Sequence, residues 1–87
     1  MKIGIIGLGL IGGSLGLDLR SQGHQIIGIS RQENVCQIAL AKGVVTEAST
    51  ELKALAEAEI VIVCTPIAAI ASTIKQIIPY INPETII

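Results

Sequence analysis

Lys2-Ile-Gly-Ile-Ile-Gly-Leu-Gly-Leu-Ile-Gly-Gly-Ser14 reads as an apolar strand, a glycine turn and the start of a helix. Gly7, Gly9 and Gly12 stand at the G-x-G-x-x-G spacing of a dinucleotide-binding turn. In a chain with nine glycines that spacing alone is a weak signal. Its context strengthens it: a strand precedes the turn, a helix follows, and a second strand comes at the expected distance. Each glycine has its own task. Gly7 turns the chain sharply out of the strand. Gly9 lets backbone approach a pyrophosphate, and Gly12 lets the helix pack close to the sheet. The candidate binding turn is therefore Gly7, Leu8, Gly9, Leu10, Ile11 and Gly12. Amides at the helix start, at the positive end of the helix dipole, attract phosphates.

Working outward, the first helix is expected from Leu10 to Ser21, with Gly23 as the residue that stops it. Gly12, Gly13 and Gly16 on one side of it imply close approach to a strand or a ligand. Gln25 to Ile29 reads as the second strand. Ser30-Arg-Gln-Glu33 carries a capping-box pattern, and the helix it opens runs to Lys42 and closes at Gly43. Val44-Val45 reads as a short third strand, and Thr50 as the cap of a small helix over 51–56. Glu59 to Cys64 is a continuous apolar run, as in a central parallel strand. Thr65-Pro66 places a capping residue and an N1 proline before a helix reaching Ile78. Pro79 ends that helix, and Thr85 to Ile87 begins a fifth strand. Strands alternating with helices call for an α/β fold with a parallel, Rossmann-type sheet of order 3-2-1-4-5, incomplete at its carboxyl end. The ligand crevice then lies beyond the carboxyl ends of strands 1 and 4, where the connections leave to opposite faces.

Composition narrows the function classes. The 87 residues are 51% hydrophobic, and Tyr80 is the only aromatic. Branched aliphatics suit strands covered on both faces by helices. So much apolar surface on so short a chain suggests a piece of a larger protein. The net charge of −1 and the absence of a basic run argue against nucleic acid and anionic membrane as partners. No apolar stretch reaches spanning length, and glycines interrupt any signal-peptide pattern, which implies a cytoplasmic protein. Cys36 and Cys64 lack metal-ligand spacing and read as free buried thiols.

The end of the second strand selects the cofactor. An NAD site usually carries a carboxylate there, to accept from the adenosine ribose. Here Ser30 and Arg31 follow the strand, a hydroxyl and a guanidinium suited to a 2′-phosphate. That pattern favours NADP. Glu33 is the counter-evidence, because it could serve an NAD ribose if its helix began later than Ser30. Cys64, Thr65 and Pro66, at the end of the fourth strand, are expected to meet the ribose and nicotinamide side of the cofactor. No histidine is placed to activate Cys64, since His24 falls at the opposite end of the sheet as an exposed turn residue. Asp18, Glu47, Glu57 and Glu59 read as surface charges. No carboxylate pair or metal cluster emerges, and no catalytic residue is assigned.

Met1-Lys-Ile-Gly-Ile-Ile-Gly-Leu-Gly-Leu-Ile-Gly-Gly-Ser-Leu15, Gly28-Ile-Ser-Arg31 and Cys64-Thr-Pro-Ile67 together resemble the prephenate/arogenate dehydrogenase family. Its NADP-using cyanobacterial arogenate dehydrogenases are the most similar. The resemblance implies that residues 1–87 form the amino-terminal part of an NADP-binding domain. It implies oxidative decarboxylation of arogenate or prephenate in tyrosine biosynthesis by a homodimeric parent. The family's catalytic serine and histidine, and its helical dimerisation domain, have no counterpart in these residues. A non-catalytic nucleotide-sensing module, or another NADP-dependent dehydrogenase, is the alternative.

Overall fold

The structure, a computed structural model, describes residues 1–9 and 14–87. Its elements are β1 (Lys2–Ile6), α1 (Leu10–Ser21), β2 (Gln25–Ile29), α2 (Glu33–Ala41), β3 (Glu47–Ser49), β4 (Ile60–Val63) and α3 (Ile70–Ile77). Short 3-10 turns at Leu52–Glu57, Ile67–Ala69 and Ile78–Tyr80 complete the path. The four strands form one parallel sheet in the order β3-β2-β1-β4. Beside β4, Ile86 makes a single parallel bridge to Ile60, with Val61 N–H donating to the Ile86 carbonyl at 2.7 Å. The fifth position of the expected order is thus marked by one bridge rather than a strand.

The two-residue period of the strands divides the core into two layers. Ile3, Ile5 and Ile26 point to one face, where they pack with Ala39 of α2, Val45, and Leu15 and Leu19 of α1. Ile6, Ile27, Ile29 and Val61 point to the other, against Leu55 of the 52–57 turn and Ile77 of α3. Helical elements therefore cover both faces, which is why the strands are apolar on both sides. Gly16 of α1 explains one close approach: a Cβ there would stand 2.8 Å from the Val44 carbonyl oxygen. Gly12 and Gly13 lie outside the described residues.

Both early helices stop where the sequence places their glycines. Gly23 and Gly43 sit at φ 91° and 72°, one residue past the caps Gln22 and Lys42. Other expectations need correction. β3 is Glu47–Ser49, not Val44-Val45. The Val44 N–H is taken by the Ala39 carbonyl at the end of α2, and Val45 is buried as a loop side chain. Pairing with β2 starts only as the Thr46 N–H reaches the Ile26 carbonyl, while the Thr46 hydroxyl accepts from the Ile26 N–H. Residues 52–57 form a 3-10 turn without a side-chain cap; Ser49, rather than Thr50, supports it by accepting from the Glu51 N–H at 3.0 Å. Thr65 does not cap a helix that starts at Pro66. A 3-10 turn intervenes, and α3 begins at Ile70. His24 is half-buried, its N–H held by the Leu19 carbonyl.

At the amino-terminal end of the sheet Lys2 pairs with Glu57. The hydrogen bond and the opposite charge raise the Lys2 pKa and lower that of Glu57. The pair is exposed, where such contacts contribute little.

Candidate functional site

The carboxyl ends of β1, β2 and β4 open onto a cleft of about 530 Å³. Its lining includes Gly7 after β1, Ser30 and Arg31 after β2, and Thr65 and Pro66 after β4. Five of the residues singled out from sequence therefore meet in one space.

Gly7 is built into the joint between strands. Its N–H donates to the Ile29 carbonyl at 2.9 Å, its φ is 93°, and a Cβ would lie 2.7 Å from the Cys64 carbonyl oxygen. Only glycine meets both the dihedral and the contact. Leu8 turns its side chain into the core, filling space that a side chain at Gly28 would need. Gly9 differs from Gly7. Its φ of −73° and ψ of −162° are open to any residue, and a Cβ there would meet nothing within 4 Å. Among the described residues, nothing in the packing requires a glycine at that position. Leu10, Ile11 and Gly12, the rest of the expected turn, lie outside the described residues.

The second lip departs from the capping box. Gln32, not Ser30, is the N-cap of α2, and the Ser30 hydroxyl accepts from the Gln32 N–H at 3.2 Å in a local turn. The Ser30 N–H is itself tied to the Ser49 carbonyl at 3.2 Å, which continues the β2–β3 ladder. Because α2 starts at Glu33, the condition under which Glu33 could serve a ribose is met. Glu33 does not line the cleft, however, and accepts from the Gln37 side-chain amide at 3.0 Å along its own helix. Arg31 is exposed, lines the cleft and forms no ion pair among the described residues.

On the third lip the Cys64 N–H donates to the Ile6 carbonyl at 2.8 Å. The Cys64 side chain packs with the core rather than into the cleft, and burial pushes its thiol pKa up, so it stays protonated at neutral pH. Thr65 carries a buried hydroxyl with no hydrogen-bond partner among the described residues. Cys36 and Cys64 are both free thiols; Cys36 is buried and Cys64 half-buried. No group of three or more metal-ligating side chains occurs among the described residues, and no helix there is long and apolar enough to cross a membrane.

The sequence reading missed the far wall: Leu52, Ala69, Thr73 and Gln76, with Thr50 at the rim. Ala69, Thr73 and Gln76 follow an i, i+4, i+7 spacing along one helix face, a signal present in the sequence. Thr50 is expected from sequence as a helix cap, and the structure places it in the cleft lining instead.

Residues 15–87 match the family model described as prephenate dehydrogenase, nucleotide-binding domain. The chain belongs to the prephenate dehydrogenase family. The glycine turn itself precedes the matched stretch. Among relatives, a prephenate dehydrogenase of Lactococcus lactis is 39% identical over 79 residues, covering 87% of this chain and 22% of that protein. The crystal structure of Synechocystis arogenate dehydrogenase superposes with a TM-score of 0.96 at 47% identity, over 98% of this chain and 31% of that one. Prephenate dehydrogenase from A. aeolicus, solved with hydroxyphenyl propionate and NAD+, superposes with a TM-score of 0.88. At 20% identity, over 98% of this chain and 31% of that one, it supports the fold alone. This prephenate dehydrogenase family member therefore spans less than a third of the length of these relatives.

Proposed function

We propose that the chain is the NADP-binding segment of an arogenate or prephenate dehydrogenase of tyrosine biosynthesis. In this reading residues 1–87 are the amino-terminal part of the dinucleotide domain of a cytoplasmic, homodimeric enzyme. The catalytic groups and the helical dimerisation domain belong to the remainder of that protein. The shares of the relatives' lengths support this division.

The observation that carries the reading is Gly9. It lies two residues after the cleft-lining Gly7, in a conformation any residue adopts, and a Cβ there would meet nothing within 4 Å among the described residues. A glycine that the packing of the described residues does not need is accounted for by a ligand that comes close to the backbone. The unpartnered Thr65 hydroxyl on the facing lip also fits a polar ligand. NADP, when bound, supplies the acceptor for a hydride from the small-molecule substrate, as the substrate loses carbon dioxide and becomes aromatic. The chain's own part is to bind and orient. Gly7 to Gly12 cradle the pyrophosphate, with Leu8, Leu10 and Ile11 supplying backbone. Ser30 and Arg31 hold the 2′-phosphate, and Cys64, Thr65 and Pro66 border the ribose and nicotinamide. Arg31 offers a planar fork of donors suited to phosphate oxygens. Glu33 is engaged by Gln37 and leaves the cleft margin to Arg31.

Calorimetric titration of the full-length protein tests this. NADP is expected to bind more tightly than NAD. Arg31→Ala is expected to weaken NADP by about 1–3 kcal/mol, the scale of a lost hydrogen bond to a charged group, with NAD little changed. Tighter binding of NAD, or equal losses for both cofactors, would overturn the assignment of Arg31.

A further inference from the structure

The stretch between α2 and the cleft offers two β registers, and the structure uses the one its composition favours less. Val44 and Val45 are the better strand formers. Yet β3 pairs through Glu47, Ala48 and Ser49 with Ile27, Gly28 and Ile29. Moving the chain forward by two residues would set Val45 beside Ile27 and keep every side chain on its present face, because the side-chain period is two. Such a slip displaces Ser49 and Thr50 by roughly 7 Å along the strand. Ser49 is the residue whose carbonyl accepts from the Ser30 N–H at 3.2 Å, and Thr50 lines the cleft. The register of β3 therefore decides what supports the lip that carries Ser30 and Arg31.

Helix α1 holds the observed register. Three successive carbonyls, those of Gly43, Val44 and Val45, meet its side. The Arg20 guanidinium donates through Nη1 to the Gly43 carbonyl at 2.6 Å and, at 3.5 Å, to that of Val45. Between them the Val44 carbonyl approaches Gly16, where a Cβ would stand only 2.8 Å away. Gly16 and Arg20 are four residues apart and so share one face of the helix. The ladder to β2 is closed off at the same point. The Thr46 N–H donates to the Ile26 carbonyl at 2.8 Å, and a parallel ladder continued from there would send the Ile26 N–H to the Val44 carbonyl. The Thr46 hydroxyl takes that N–H instead, at 2.9 Å. Val44 is thereby tied to α1 and left without a place on β2.

We propose that Arg20 is a positioning residue for cofactor discrimination: by clamping the 43–45 carbonyls to α1 it fixes the register of β3, keeps Ser49 beside Ser30, and so aims Arg31 at the 2′-phosphate. This rests on the NADP reading above. Arg20 itself stands in the last turn of α1, at the far end of that helix from the glycine turn, and acts only through the strand.

The test uses Arg20→Ala, Arg20→Lys and Thr46→Val in the full-length protein. Affinity is measured for NADP, for NAD and for adenosine 2′,5′-bisphosphate, which shares the 2′-phosphate with NADP. Backbone hydrogen exchange is measured over residues 26–31 and 44–50. In Arg20→Ala, NADP and the bisphosphate should bind about five- to ten-fold more weakly and NAD within about two-fold of wild type, since up to one hydrogen bond to a charged group is lost. Exchange should quicken in both stretches and stay unchanged in β1. Lysine, which still carries a donor for the Gly43 carbonyl, should restore most of the NADP affinity. Thr46→Val loosens the same register from the side of β2 and should repeat the pattern of Arg20→Ala; it decides the matter by the same criteria if Arg20→Ala does not fold. Equal losses for NADP and NAD would reduce Arg20 to general stability and overturn the proposal. Unchanged NADP affinity, or unchanged exchange over residues 26–31, would also overturn it. A wild-type protein that binds none of the three ligands would sink the dinucleotide reading instead, and the exchange measurement would then decide the register clamp by itself.

Discussion

Two strand-to-helix turns stand side by side at the cleft, and they differ in what determines them. After β1 the path is set by hard contacts: Gly7 has a positive φ, and the Cys64 carbonyl occupies the place of a Cβ. After β2 the path is set by exchangeable hydrogen bonds. Ser30 can cap a helix or close a short turn, and it does the latter by accepting from the Gln32 N–H. The first turn tolerates one residue type; the second has several near-equivalent solutions. A steric requirement is legible from residue identity, whereas a choice among similar hydrogen bonds depends on neighbours. Here the neighbour is Ser49, whose carbonyl holds the Ser30 N–H and prolongs the β2 ladder past the strand's end.

The largest test of that contrast is Gly7→Ala. Alanine in the left-handed region costs about 1–2 kcal/mol, and the 2.7 Å approach to the Cys64 carbonyl oxygen adds to it. A loss of about 2–4 kcal/mol is expected in denaturant unfolding of the full-length protein. A loss below about 1 kcal/mol would mean that the β1–α1 turn yields as readily as the β2–α2 turn, and the contrast would fail.

Gly9→Ala sharpens the comparison within the first turn. Its backbone angles accept alanine, and a Cβ there meets nothing among the described residues. Stability without ligand should hold or rise by about 0.4–1 kcal/mol, because the unfolded chain loses freedom. NADP affinity should fall about ten-fold or more, since the new methyl stands where the pyrophosphate is proposed to approach; one order of magnitude is about 1.4 kcal/mol. Unchanged affinity would remove the main support for a ligand at this turn. Two glycines two residues apart would then differ from the proposed pattern, in which one serves the fold and the other the ligand.

The same division explains how much could be read in advance. β1, α1 and β2 were legible to the residue, because strand apolarity, helix-stopping glycines and the glycine turn are each dictated locally. β3 was not. Val44-Val45 has the composition of a strand, but Gly43 and the end of α2 keep Val44 bonded to Ala39, so pairing is delayed to Glu47. Thr65-Pro66 has the composition of a helix start, yet the first turn tightens to 3-10 and leaves the threonine unused as a cap. Of the cleft, the lips were readable from their motifs. The far wall was not, because which face of α3 meets the site depends on how Ile77 packs beside Leu55 on one face of the sheet.

The smallest effect comes from Glu33→Gln, and it probes the second turn directly. Glu33 is the first residue of α2, where a negative charge interacts favourably with the helix dipole, so neutralising it should cost about 0.3–1 kcal/mol of stability. The same neutralisation removes a negative charge two residues from Arg31. If the 2′-phosphate is held there, NADP should bind slightly more tightly at low salt, by about 0.2–0.5 kcal/mol, and NAD should be unaffected. The gain should fade as salt is raised, because exposed charges are screened over roughly 8 Å at physiological ionic strength. Weaker NAD binding in Glu33→Gln would carry the opposite meaning. Glu33 would then leave Gln37 to accept from a ribose, and the β2–α2 turn would be the place where this fold serves either cofactor.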